Sequence, residues 1–140
     1  MSQSRDDMIN ALKRIVIPAL RRLGFSGSFP HFRRRGCKMI DLFTFQFDRK
    51  GGGFIIEIAQ CSLERIKTHW GKHIAPNKVR AWDVHPDQQL RLQPHPGSGT
   101  DSWFRFDFGD TDAVARSVLP FLEQANVWFA AGIPIGGSEV

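Results

Sequence analysis

Between Arg5 and Leu23 the apolar residues Met8, Ile9, Leu12, Ile15, Val16, Ala19, Leu20 and Leu23 recur at helical spacing. Lys13, Arg14, Arg21 and Arg22 take the opposite side, so the run predicts an amphipathic helix with one stripe to bury. Pro18 interrupts it: proline removes one i to i−4 hydrogen bond and clashes with the preceding turn, which predicts a kink or a second helical segment. Gly24 is a stop signal at the C-terminal end.

The period then changes to two. Phe29 to Arg35 reads as a strand, and Gly36-Cys37 offers glycine at the first position of a two-residue turn. Met39 to Asp48 alternates, with Phe43, Phe45 and Phe47 on one side and Leu42, Thr44 and Gln46 on the other. Phe54 to Gln60 repeats the pattern with Phe54, Ile56 and Ile58. Parity fixes the register: pairing Phe47 with Phe54 also pairs Phe45 with Ile56 and Phe43 with Ile58. Thr44 then stands opposite Glu57 and Leu42 opposite Ala59. A slip of one residue would turn one apolar set to solvent.

Cys61 to Gly99 carries no such rhythm. Ser62 to His73 has the length of a short helix, Leu90 to Gln93 that of a short strand, and Pro76, Pro86, Pro94 and Pro96 punctuate the rest. An irregular insertion over about 62–100 is expected, a length that in compact domains is usually functional or mobile. Ser102 to Phe108 reads as a strand with Phe104, Phe106 and Phe108 on one side. Asp110 and Thr111 are good N-caps for a last helix to about Ala130, with Val114, Val118, Phe121, Leu122, Ala125, Trp128 and Phe129 as its stripe and a kink at Pro120. The tail at Ile133 to Val140 is expected to be loose. The order predicts an α+β fold: a two-layer sandwich with an antiparallel sheet of about four strands and both helices on its Phe-rich face. The other face is expected to stand open.

Composition supports one domain over 1–140: 140 residues, 41% apolar and 24% charged, are ordinary for a globular protein. Twelve Phe, four Trp and no Tyr give aromatic mass for burial and exclude tyrosine chemistry. The net charge of +5 is unevenly placed: residues 1–50 carry +7, 51–100 carry +2 and 101–140 carry −4. Cys37 and Cys61 have no zinc or redox spacing, and reduced thiols are expected. Residues 1–10 have no signal-peptide core, and the uncharged stretch near the C-terminus is shorter than the ~20 residues a bilayer needs. A cytoplasmic protein without a membrane partner is expected.

Leu23-Gly24-Phe25, Phe32-Arg33-Arg34 and Ile40-Asp41-Leu42-Phe43-Thr44-Phe45-Gln46 occur in that order, preceded by Pro18 and followed by the strand Phe54 to Ala59. Over roughly residues 8–60 this resembles the bacterial domain-of-unknown-function family numbered 4304. Glu57 departs from that family's pattern, which more often has a neutral residue there. The resemblance implies the fold; the family has no agreed activity, so it implies no mechanism.

Several constellations invite chemistry, and each has a plainer reading. His69 and His73 would share a helical face, as zinc ligands must, with Cys61 as the third; without a glutamate between them, unrelated solvent-exposed histidines are expected. Gly51-Gly52-Gly53 leads into a strand and not a helix, which fits a hairpin better than a phosphate loop. No serine or cysteine stands in an elbow motif, so no catalytic residue, metal or cofactor is assigned. His31, Gln46, Glu57, Trp103 and Arg105 share the face away from the helices and could form a binding site, although Glu57 and Arg105 could equally be a cross-strand ion pair.

Trp70 and Trp82 in the insertion are candidate contact aromatics, or else caps on the sheet edge. The leading expectation is a non-enzymatic module binding a protein or small-molecule ligand, with Trp70, Trp82 and Trp103 as anchors and Arg33, Arg35 and Arg105 around them. The alternative is nucleic-acid binding by the basic N-terminal half, with Arg33, Arg34, Arg35, Lys38, Arg49 and Lys50 for phosphates and Phe32 and Trp103 for stacking. An enzyme, third, would need Glu57 or a histidine in an enclosed pocket.

Overall fold

The computed structural model describes residues 3–49, 51–63, 73–75, 78–84, 88–92, 94, 103–107 and 109–131. The first amphipathic run forms α1 (Gln3–Ile15) and α2 (Ile17–Arg22), divided at Val16. The Val16 amide donates to the Leu12 carbonyl at 2.8 Å, and Leu20 to Val16 at 3.0 Å. Pro18 becomes the second residue of α2, where a missing N–H leaves nothing unpaired. The break is therefore where the proline puts it.

The strands are β1 (Ser26–Ser28), β2 (His31–Arg35), β3 (Met39–Phe47), β4 (Gly53–Ser62), β5 (Gln89–Leu92) and β6 (Phe104–Arg105). They form one antiparallel sheet in the order β1-β2-β3-β4-β5, with β6 also on β4. The β3–β4 register matches the parity argument at every pair, from Phe47 opposite Phe54 to Leu42 opposite Ala59. Six strands replace the expected four or so. β1 (Ser-Gly-Ser) has no apolar alternation to betray it: it pairs through its backbone and the Ser26 hydroxyl, which donates to the Arg33 carbonyl, with Gly27 at φ +116° opposite Phe32. A Cβ at Gly27 would lie 2.6 Å from the His31 carbonyl oxygen, so the close approach of β1 to β2 requires glycine.

Other boundaries shift. β2 begins at His31, after the cis Phe29-Pro30 peptide, and not at Phe29. Gly36 closes the β2–β3 ladder by donating to Met39, so the turn itself is Cys37-Lys38. β4 continues to Ser62, which removes the expected helix start there; residues 64–72, including His69 and Trp70, lie outside the described residues. β6 takes only Phe104–Arg105 of the expected Ser102 to Phe108, whose end residues lie outside the described residues. Because β3 occupies one edge of β4 throughout, β5 and β6 share the other, end to end: Leu92 faces Ile56 and Phe104 faces Phe54.

The last helix, α3 (Thr111–Ala131), is capped as expected: the Ala113 amide donates to Asp110 Oδ1 at 3.0 Å. It runs through Pro120 without a break, since the carbonyl that loses its donor belongs to exposed Arg116, where water can replace it. No described helix is long and apolar enough to cross a membrane.

Two cores result. On the helix face Phe32, Phe43, Phe45, Phe54, Ile56, Ile58 and Phe104 pack against Met8, Leu12, Leu20, Val118, Leu122 and Phe129. Phe45 alone has ring neighbours in Phe29, Phe32, Phe43 and Phe54. At one end of this face Arg34 binds Asp41 and the Leu23 carbonyl, while Gln60 Nε2 donates to Asp41 and to the Phe129 carbonyl. Arg34 also lies over the rings of Phe25 and Phe129. The second face is not open. Ile40, Leu42, Ala59 and Cys61 are covered by Val79, Ala81 and Val84.

Candidate functional site

The segment that covers the second face, residues 78–84, alternates like a strand. Val79 and Ala81 turn inward, and Lys78, Arg80 and Trp82 turn out, before a single 3-10 turn at Ala81–Asp83. This strap is held at several points. Arg33 Nη2 donates to the Val79 carbonyl at 2.8 Å, Gln89 Nε2 to the Val84 carbonyl at 2.7 Å, and the Arg80 amide to Asp83 Oδ2 at 2.9 Å.

Register arranges the sheet beneath it in rows. One row is apolar at its centre: Arg33, Leu42, Ala59 and Gln89 stand side by side across four strands. The next row is polar throughout: His31, Thr44, Glu57 and Arg91. His31 Nδ1 and Thr44 Oγ1 are hydrogen-bonded at 3.2 Å, and Arg91 Nη2 donates to Glu57 Oε2 at 3.1 Å. The strap's apolar side chains lie on the first of these rows. Trp82, 38% exposed, meets the second, its ring perpendicular to the His31 imidazole at 4.6 Å between centroids.

Between β1–β2 and the strap runs a groove of about 380 Å³, lined by Gly27, Ser28, Phe29, His31, Arg33, Lys78 and Arg80. Three cations enter it. The Arg80 guanidinium sits over the Trp82 ring at 5.9 Å, and its Nε is 3.9 Å from Asp83. Arg33 Nε is buried without a hydrogen-bond partner among the described residues. Burial, then the Arg80 and Arg33 charges, push the His31 imidazole below its ordinary range, with Asp83 opposing. Burial and the Arg80 charge likewise lower Arg33. The groove is crowded with positive charge, and like charges at this range disfavour each other's protonated forms.

Of the residues singled out from the sequence, the fold brings His31, Arg33 and Trp82 together. Glu57 lies in the polar row, paired with Arg91 and not with Arg105. Arg105 stands opposite Gly53, with Trp103 beside that glycine, four residues or ~13 Å further along β4. The three-tryptophan cluster is therefore corrected: Trp82 and Trp103 occupy different ends of the face, and Trp70 lies outside the described residues. Gln46 is exposed opposite Ile55, one row beyond Thr44. Phe32, proposed for base stacking, is 2% exposed on the helix face. Arg34, proposed for phosphate contacts, is bound to Asp41.

Lys78 and Arg80 were missed. The signal was the alternation Lys78-Val79-Arg80-Ala81-Trp82, short but readable as a two-sided strip. Elsewhere the hairpin reading of the glycines prevails, while the His69–His73 pairing lies outside the described residues at His69. Gly51 and Gly52 have positive φ in the β3–β4 connection, where Asp48 donates to Gly53. His73 is exposed, no metal-binding group of three ligands occurs among the described residues, and Cys37 and Cys61 are free thiols.

The fold and this groove define an α+β domain with helices on one sheet face and a strap with a cationic groove on the other. The chain matches the family model described as Domain of unknown function (DUF4304) over residues 16–131, and it belongs to that family. That match extends through β6 and α3, well past the residues whose pattern first suggested it. The comparisons with curated proteins and with solved structures found no match.

Proposed function

We propose that the chain is a non-enzymatic binding module whose ligand, a small molecule, lies in the groove between β1–β2 and the strap. The observation that carries this reading is the strap's placement. It covers the apolar row and leaves His31, Arg33 and Arg80 around an accessible groove with Phe29 in its lining, while Trp82 packs beside it on His31 and under Arg80. The one hydroxyl bonded to His31 is that of Thr44, 1% exposed, which suits it to orient the ring and not to attack a substrate. Glu57 is engaged by Arg91, which suits a structural ion pair more than a general base.

Screening a mixed set of small molecules by NMR tests the proposal. Binders are expected to shift the Trp82 indole and His31 ring signals, and Trp82→Ala should weaken them by roughly thirtyfold, as for a binding anchor worth ~2 kcal/mol. Binders that map to Trp103, or that are indifferent to Trp82→Ala, overturn it. The nucleic-acid alternative has less support, because Phe32 is core and Arg33 and Arg34 hold carbonyls and a carboxylate. It requires retention on single-stranded DNA at low salt with a steep salt dependence.

A further inference from the structure

We infer that the groove end bounded by Ser28, His31, Arg33, Lys78 and Arg80 is an oxyanion subsite that takes a dianionic phosphate group, free or esterified. This rests on the ligand-binding reading and names the chemistry of the ligand.

Charge makes the first argument. Lys78, Arg80 and Arg33 enter the groove, and the one carboxylate facing them among the described residues is Asp83. That carboxylate is 8% exposed and already accepts from the Arg80 amide, so it lies behind the cations and not among them. The local balance is two positive charges, which a phosphate dianion cancels and a carboxylate halves. Charge-assisted hydrogen bonds to such oxygens are about twice as strong as neutral ones.

Preorganisation makes the second. The Arg33 guanidinium is tethered to the Val79 carbonyl through Nη2, which fixes it at the groove wall. Arg80 is held over Trp82 and near Asp83. Arg33 need not be gathered from solvent when the ligand arrives. Size makes the third: about 380 Å³ lies in the ~300–1,000 Å³ range of small-molecule sites, so the groove has room for an ester and not only for a bare ion.

His31 reports on the site. It is faced by Arg33 on its own strand, by Thr44 on β3, by the uncharged residues of β1, and by Lys78, Arg80, Trp82 and Asp83 on the strap. An anion among those cations favours the imidazolium, and by linkage imidazolium formation tightens the anion by the same factor.

The test uses the full chain with three probes: inorganic phosphate, phenyl phosphate and its uncharged counterpart phenol, followed by NMR of the His31 ring and by calorimetry. Sulfate, a dianion across the range, serves for the ring titration. Expected are an upward shift of the His31 titration with sulfate, binding of phenyl phosphate over phenol, and a loss of about tenfold in phenyl phosphate affinity in Lys78→Gln and in Arg80→Gln. Phenyl phosphate binding more tightly than inorganic phosphate assigns the ester as the ligand form; equal binding assigns the free ion. Phenol binding as well as phenyl phosphate, with Trp82 shifts intact, overturns the subsite while leaving the groove a ligand site. No shift at His31 or Trp82 with any probe overturns the subsite as well, and an empty mixed screen then removes the groove reading separately.

Discussion

The two faces of one sheet are built on different terms. On the helix face, rings as large as phenylalanine join side chains of three helices in one buried cluster. On the strap face the covered residues are Ile40, Leu42, Ala59 and Cys61, and the cover is Val79, Ala81 and Val84. Among the described residues the first face buries more and larger apolar side chains, and hydrophobic stabilisation scales with the area buried. The second is closed by a short segment with a handful of aliphatic contacts and side-chain-to-carbonyl bonds. The lesson is a division of labour: one face supplies the stability that lets the other carry cations, an exposed tryptophan and an unpartnered guanidinium N–H.

Adjacent residues of β3 test this most directly, because Phe43 and Leu42 are both fully buried and point to opposite faces. Phe43→Ala is expected to cost ~3–5 kcal/mol in denaturant unfolding, and Leu42→Ala ~2–3 kcal/mol, at the low end for a leucine because small strap residues can settle into the space. Equal losses would mean that the strap is as integral to the fold as α3.

A smaller effect concerns the strap alone. Burial, then the Asp41 charge, push the Cys61 thiol up to about 11, so near pH 8 it stays protonated and unreactive until the strap lifts. Cys37 is exposed. Alkylation at pH 8 should therefore modify one thiol quickly and the second slowly, faster than global unfolding allows, and Leu42→Ala should accelerate the second further. A Cys61 rate equal to that of global unfolding would make strap and sheet a single cooperative unit.

The smallest effect is electrostatic. The His31 pKa is lower in the fold than the ~6.5 of the unfolded chain, so the unfolded state takes up that proton first. Its stability contribution is complete above ~6.5 and is lost as pH falls through the native value. His31→Gln should flatten that limb of a stability-against-pH curve; an unaltered limb would show that neither burial nor the neighbouring cations hold the ring neutral.

The sequence disclosed the helix face far better than the strap face, for physical reasons. Phe43, Phe45 and Phe47 against Phe54, Ile56 and Ile58 leave one register that keeps all rings together, and the fold adopts it. Alternation settles which face a residue occupies but not how far along a strand it stands. That is why Arg105 and Trp103 were grouped with His31 and Glu57 although they lie at another end. The cationic groove needs Arg33 beside Val79, a contact across 46 positions, and no local pattern encodes such a meeting. Lys78 and Arg80 were hidden by their surroundings: the inward residues between them are small, and Pro76 and Pro86 mark the region as loop. β1 was illegible because Ser-Gly-Ser carries no apolar side chain to alternate.

The shared edge of β4 carries one more implication. Leu92 opposite Ile56 and Phe104 opposite Phe54 leave the ladder room for a single residue, yet residues 93–103 separate the two in sequence. β5 and β6 thus act as two halves of one strand that are not consecutive in the chain. Each half keeps its place by the residues it faces and not by continuity with the other, so the free edge of β4 is capped by two separable pieces.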